Sequence, residues 1–122
     1  MSTAPILKFR ADDPLQDCYY DREGNIYSVA RIVDAAKGLD VFEVPIAALD
    51  LSAVIWVDCN IFELAFHAKR VANADLKRPI ILDWNGSIAD GRHRIMKAIA
   101  DGKRTIKAVR ITWKLAPDRK AE

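Results

Sequence analysis

The sequence has few of the residues that form disulfide bonds or bind a structural metal ion, and it has no long hydrophobic run. Its two cysteines, Cys18 and Cys59, have none of the spacings typical of a zinc site or a redox pair. No apolar stretch approaches the roughly 18 residues that a membrane-spanning helix needs. Residues 1–10 lack the apolar core of a signal peptide. We therefore expect a reduced, cytoplasmic protein that does not enter a membrane.

The chain also lacks an excess of charge of either sign. Its 19 lysines and arginines stand against 17 aspartates and glutamates, a formal net charge of +2. This balance gives no general attraction to nucleic acid, so binding of a polyanion has to come from a local cluster. With 122 residues, of which 51% are hydrophobic, the composition predicts one globular domain. We expect its core within residues 41–113, with residues 1–13 and 116–122 loosely attached.

The order of apolar runs and turn residues predicts an α+β fold with a small mixed sheet and a few helices. Extended pieces are expected at Asp17–Tyr20 and Ile26–Tyr27, followed by a helix over Val29–Lys37 that ends before Gly38. Further strands are expected at Val41–Val44, Ile80–Trp84, Ser87–Ala89 and Thr105–Trp113. A turn of helix is expected at Pro45–Leu49, a hairpin turn at Asn85-Gly86 and a helix at Arg92–Ala100. In that last helix Ile95, Ala98 and Ile99 are expected to point inward.

A further helix is predicted from Ile61 to about Ala74, with Asn60 as its N-cap. Its helical spacing predicts a buried face made of Ile61, Leu64, Ala65, Ala68, Val71 and Ala72. The opposite, polar face carries Asn60, Glu63, His67 and Arg70. That face is either solvated or borders a binding site.

One short segment carries chemistry, the run Asp90-Gly91-Arg92-His93-Arg94 between a strand and a helix. The first amides of a helix have no intrahelical acceptor, and the helix dipole is positive there. The basic residues oppose that dipole, and a phosphate group would relieve the conflict. Alternatively, Asp90 caps the helix and the basic residues are solvated. Asp90 could also hold Mg²⁺ beside a polyphosphate or accept a proton from an attacking hydroxyl.

This run and its surroundings resemble the ParB/sulfiredoxin superfamily. The resemblance rests on Pro79-Ile80-Ile81-Leu82, Asn85-Gly86, Ile88, Asp90 to Ile95, Lys97-Ala98 and Gly102, and it extends over about Val41 to Trp113. In that superfamily the helix start binds nucleotide phosphates, of ATP in sulfiredoxin and of CTP in partition ParB. The resemblance therefore implies a phosphate-binding role for Gly91, His93 and Arg94, with Arg92 beside them.

Departures from the pattern narrow the activity that the resemblance implies. Sulfiredoxin places its reactive cysteine where this chain has Arg92, so we expect no sulfinic-acid reductase activity. Nine residues follow Trp113, so we expect neither the helix-turn-helix nor the dimerisation domain of partition ParB. ParB-like free-serine kinases have a motif similar to Asp90–Arg94 and an acidic residue after the opening strand, for which Asp50 is the candidate and Glu43 and Asp58 are rivals. Some ParB-like proteins have been described as nucleases, which leaves that class open.

The sequence thus favours a nucleotide-binding protein that takes ATP, ADP or CTP with Mg²⁺, and that could be a small NTPase or phosphotransferase. The catalytic candidates are Asp90 and Asp50, and the candidate phosphate ligands are Gly91, Arg92, His93, Arg94, His67 and Arg70. Lys69, Lys77 and Arg78 are more simply solvated surface charges. Trp56 could line a pocket, although nothing in the sequence itself shows it. The alternative is a non-enzymatic accessory module of phage or plasmid type that binds DNA or a protein partner.

Overall fold

The computed structural model describes residues 3–9, 17–53 and 59–120, and these residues form an α+β fold, as predicted. The strands are β1 (Cys18–Tyr20), β2 (Ile26–Ser28), β3 (Phe42–Pro45), β4 (Ile80–Leu82), β5 (Ile88–Asp90) and β6 (Thr105–Arg110). The helices are α1 (Val29–Ala36), α2 (Ile61–Ala72) and α3 (Arg92–Ala100), with one turn of 3-10 helix at Ile46–Ala48. The sequence interpretations of Trp56 and Asp58 fall on residues outside these ranges.

The main sheet has the strand order β3-β6-β4-β5 and is mixed, which confirms the predicted architecture. Strands β3 and β6 run antiparallel, as do β4 and β5, whereas β4 and β6 run parallel with Ile81 beside Val109. Parallel neighbours need a crossover connection, and here α3 provides it. Strands β1 and β2 form a separate antiparallel hairpin.

Alternating side chains of β4 and β6 divide the core between the two faces of this sheet. On one face Ile80, Leu82, Ile106 and Ala108 pack with Ile95 of α3. On the other face the buried residues are Ile81 and Val109 of the sheet and Ile111 directly after β6, together with Tyr19, Tyr27 and Ile32 of the hairpin and α1. Three of these lie before residue 41, so the core reaches beyond the segment in which the sequence places it.

A buried carboxylate, Asp83, shapes the turn between β4 and β5. Its Oδ1 accepts hydrogen bonds from the amides of Asn85 and Ser87 at 2.8 and 2.9 Å, and its Oδ2 accepts one from the Tyr19 hydroxyl at 2.7 Å. Burial, together with this bond to a carboxylate, raises the pKa of the Tyr19 hydroxyl. The tight turn predicted at Asn85-Gly86 is confirmed, but three residues separate Asp83 from Ser87 because the aspartate organises the loop.

The predicted burial of α2 is wrong. Ile61 is 90% exposed and Leu64 is 56% exposed, whereas the half-buried residues are Phe66, His67, Arg70 and Val71. The helix packs on α3 through what the sequence suggested was its polar face, so most of the apolar stripe points away from the protein. Ile99 of α3 is likewise exposed, although Ile95 and Ala98 are buried as predicted.

The described part of the C-terminal segment is attached more firmly than its composition suggested. The Asp118 carboxylate accepts hydrogen bonds from the Ser28 amide at 2.6 Å and from Arg31 Nη1 at 2.8 Å. Arg119 forms an antiparallel β-bridge with Ile26 at the start of β2. Across the described ranges, no helix has the length and apolar character that crossing a membrane requires.

The junction between β5 and α3 depends on Gly91. Its φ of 105° lies in the left-handed region, where a side chain is strained. A Cβ atom built there would lie 2.6 Å from Cγ2 and 2.9 Å from Cβ of the buried Ile80. Glycine is therefore required twice at this position, by its backbone conformation and by its close packing on β4.

This double requirement predicts that Gly91→Ala is more destabilising than an alanine at another left-handed glycine. Gly102, at the other end of α3, has φ 71° and no atom within 4 Å of a built Cβ, so Gly102→Ala is the matched control. We expect about 1 kcal/mol for the control from its φ alone. We expect about 2–4 kcal/mol for Gly91→Ala, because crowding of the core adds to the strain. Urea denaturation measures both, and equal losses would show that the contact with Ile80 costs nothing.

Candidate functional site

The N-terminal end of α3 opens into a cleft of about 1010 Å³. Residues 6–9, helix α2, the connection after it and the β5–α3 junction form its walls. Six cationic side chains line the cleft against three carboxylates. They are Lys8, Lys69, Arg70, Arg78, Arg92 and Arg94 against Asp17, Asp75 and Asp90, with His67 and His93 between them.

The first turn of α3 presents its amides to this cleft without a side-chain cap. Gly91 occupies the N-cap position and has no side chain, and the first intrahelical bond runs from the Ile95 amide to the Gly91 carbonyl. Asp90 belongs to β5 and does not cap the helix, so the alternative interpretation of Asp90 as the N-cap is wrong. The amides of residues 92–94 precede that first bond and remain at the positive end of the helix dipole.

Arg94 and Asp90 form an ion pair at the back of the site. Arg94 Nη2 donates to Asp90 Oδ2 at 2.9 Å, and the side chains are 13% and 31% exposed. Burial lowers the pKa of the Arg94 guanidinium, while the charge of Asp90 acts in the opposite direction. A metal ion or a substrate proton would have to compete with Arg94 for the Asp90 carboxylate. Arg94 therefore contributes positive charge and rigidity more than a free hydrogen-bonding fork.

Arg92 has a different position from Arg94. It is half-buried and lies on the wall between the main cleft and a second cavity of about 250 Å³. Asp50 lines that second cavity and not the main cleft, and its carboxylate accepts hydrogen bonds from the Ser52 amide and hydroxyl. The structure therefore does not bring Asp50 together with the other predicted residues. Its rival Glu43 is on β3, at the opposite edge of the sheet from β5.

Helix α2 brings His67 and Arg70 into the cleft, as the functional interpretation of its polar face predicted. His67 Nδ1 lies 2.9 Å from His93 Nε2, and the two rings are nearly parallel with centroids 5.2 Å apart. Lys97 Nζ of α3 donates to the carbonyls of Ala72 and Ala74 at 3.1 and 3.0 Å, which fixes the end of α2. These contacts hold α2 against the start of α3.

The histidine pair can hold only one proton between its facing nitrogens, because two N–H groups cannot point at each other at this distance. Burial, and then the charge of Arg70, lower the pKa of His67, with Glu63 acting in the opposite direction. For this bond to form, one ring has to donate to the other, and protonation of both rings would break it. The pair is therefore a proton-sensitive link between α2 and α3.

Sequence reasoning missed several residues that the fold delivers to this cleft. Arg78, interpreted as a surface charge, lines it, as do Lys8, Phe9 and Phe66. No local motif marks these residues, since they come from three separate segments. Cys18 lies in the same cleft and Cys59 lies outside it; both are half-buried, and neither takes part in a disulfide. In the parts of the chain that the structure describes, no three His, Cys, Asp or Glu side chains are grouped so that they could hold a metal ion.

The lowered pKa of His67 predicts how stability depends on pH. Unfolded His67 binds a proton more readily than folded His67, so unfolding takes up a proton when the pH falls below about 6.5. Stability from this group is therefore complete above that pH and declines below it. We expect the melting temperature of the wild type to fall more steeply than that of His67→Gln between about pH 7.5 and pH 5.5. Parallel melting curves over this range, measured in a buffer without phosphate, would contradict the assignment.

Comparisons of this chain with protein-family models, curated proteins and solved structures gave no match. The resemblance to the ParB/sulfiredoxin superfamily therefore rests on the motif of Asp90–Arg94 and on its place between hairpin and helix, and it stays a prediction. The α+β fold with its small mixed sheet is established by the structure itself.

Proposed function

We propose that this protein binds a nucleotide whose phosphate groups lie at the N-terminal end of α3. The observation that carries the proposal is the convergence of four arginines, a histidine pair and the first amides of α3 on one cleft. The arginines and the helix amides attract an anion, and the six lysine and arginine side chains of the cleft outnumber its three carboxylates. The superfamily resemblance of residues 90–94 supports the same ligand, with ATP, ADP or CTP as candidates.

The charge arrangement favours a phosphate over a solvated helix start. Cations at the first turn of a helix oppose the dipole by roughly 0.3–1 kcal/mol each. Arg92 and Arg94 are both placed there, and Arg70 and Arg78 approach from neighbouring segments. A phosphate would accept hydrogen bonds from the helix amides and from guanidinium groups together, and such charge-assisted bonds are the strong ones.

Transfer of the bound phosphoryl group, to water or to an acceptor, is the reaction that we propose for this site. Of the two carboxylates predicted as catalytic, only Asp90 lines the cleft, where it could accept a proton or hold Mg²⁺ after release from Arg94. Serine-kinase-like transfer with Asp50 as a partner is less well supported, because Asp50 lines the other cavity. We also propose that the protein acts in the cytoplasm, on the basis of its cysteine usage.

The alternative is a non-enzymatic accessory module that binds DNA or a protein partner. The cationic cleft is concave and bounded on several sides by residues 6–9, α2 and α3, which suits a small anion. Retardation of duplex oligonucleotides with a steep salt dependence, without any nucleotide binding, would favour that alternative.

Arg92 offers a sharper test of phosphate binding than Arg94. Arg94→Ala would leave the Asp90 carboxylate without its partner and so mix stability with affinity, whereas Arg92 forms no ion pair with the residues that the structure describes. We expect Arg92→Gln to weaken ATP binding about tenfold to a hundredfold, the loss of about 1.5–3 kcal/mol from one charge-assisted hydrogen bond. Isothermal titration with ATP, ADP and CTP, with and without Mg²⁺, measures this effect.

The matched control is Arg104→Gln, which removes the same charge from an exposed position that lines neither cavity. It should bind nucleotide as the wild type does. If both substitutions weakened nucleotide binding equally, the effect would come from the change in net charge and not from a contact of Arg92. Absence of binding by the wild type at millimolar nucleotide would overturn the proposed function.

A further inference from the structure

The end of the main cleft away from α3 is aromatic. Phe9, from residues 3–9, and Phe66 of α2 both line the cleft and are half-buried, with ring centroids 5.3 Å apart and planes inclined at 42°. We propose that these two phenylalanines form the subsite for the aromatic base of the bound nucleotide. The inference rests on the proposed function, since it assigns the second half of the same ligand.

A continuous series of rings connects this aromatic end to the start of α3. From Phe9 to Phe66 the centroid distance is 5.3 Å, from Phe66 to His67 it is 5.5 Å, and from His67 to His93 it is 5.2 Å. The cleft therefore has a π-rich part at Phe9 and Phe66, and a second part at the start of α3 that carries the uncapped helix amides. A ligand that matches both parts is elongated, with a flat unsaturated group at one end and phosphates at the other.

The two phenylalanines are not needed to fill either core. The buried clusters on the two faces of the sheet contain neither Phe9 nor Phe66, and both rings lie instead in the layer between residues 3–9 and α2. The ring centroids of Phe62 and Phe9 are 5.1 Å apart, but Phe62 does not line the cleft. The rings thus place an aromatic surface at the wall of a cleft rather than inside a hydrophobic core.

Cations accompany these rings, as expected for a subsite that continues into a phosphate site. Lys69 Nζ lies 5.7 Å from the centroid of Phe9, and Arg70 Cζ lies 5.8 Å from that of Phe66. Stacking on an aromatic side chain accepts any nucleobase, because every base has a π-face. The geometry therefore assigns a nucleotide with little base preference, and it disfavours inorganic polyphosphate, which would leave the aromatic wall unused.

The test compares a ligand that has a base with one that lacks it. We would titrate ATP and inorganic tripolyphosphate into the wild type, Phe9→Leu, Phe66→Leu and the control Phe42→Leu, whose phenylalanine is exposed on β3 outside the cleft. Leucine keeps an apolar side chain and removes the π-face. We expect each cleft variant to weaken ATP binding roughly tenfold while tripolyphosphate binding stays within about twofold. Phe42→Leu should change neither.

Each contrary outcome has a distinct meaning. Unchanged ATP affinity in both cleft variants, or an equal loss for ATP and tripolyphosphate, would overturn the base subsite while leaving the phosphate site intact. Absence of binding of either ligand to the wild type would overturn the proposed function itself. If a variant does not fold, the wild type alone still tests the base subsite by comparison of ATP with ribose 5-triphosphate, which lacks the base. We expect ATP to bind at least about tenfold more tightly. Similar affinities for these two ligands would overturn the inference.

Discussion

The position of the whole cleft depends on one contact, the approach of the Gly91 backbone to Ile80. Strand β5 turns into α3 within a single left-handed residue, and the space that a Cβ would need is taken by Ile80. Ile80 is fully buried in the same cluster that receives Ile95 and Ala98 of α3. The hydrophobic core therefore fixes both the place where α3 begins and the direction in which its first amides point.

This arrangement makes the core support an unfavourable distribution of charge. Arg92 and Arg94 stand at the positive end of the helix dipole, and within the described part of the chain only Arg94 is paired with a carboxylate, that of Asp90. A helix start of this kind would be weakened in isolation. Buried residues behind it offset the cost, so the site keeps its attraction for an anion without losing its structure.

Local signals predicted the strands of the main sheet, α3 and the turn before it, because each of these elements is marked by nearby residues. The β-branched run at Ile80 and the glycine between Asp90 and Arg92 mark a strand, a sharp turn and a helix start without reference to distant parts of the chain. An aspartate before Asn85-Gly86 is also a turn signal, since its side chain can bond to amides two residues further on. Asp83 does so, and that signal was available in the sequence.

Tertiary contacts decided what the pattern could not. The stripe of apolar residues on α2 shows that the helix has two different faces, but not which of them the protein uses. Phe66 of α2 lines the cleft and contacts Phe9, which is far away in sequence. In the same way, His67 contacts His93 of α3. These partners make the mixed aromatic and basic face the inner one. Hydrophobic periodicity assumes a purely apolar interior, and it fails where a helix borders a binding cleft.

The separation of Asp50 from Asp90 bears most directly on the choice between binding and catalysis. Catalytic groups act on a bound phosphate only when the reacting atoms approach within roughly 3–3.5 Å in one cavity. Asp50 and Asp90 line different cavities, and Arg92 lies on the wall between them. A reaction that used both carboxylates would need a ligand reaching past Arg92, whereas binding alone needs only the main cleft. The proposed nucleotide binding therefore needs only one cavity, whereas the proposed phosphoryl transfer would depend on Asp90 and would need its release from Arg94.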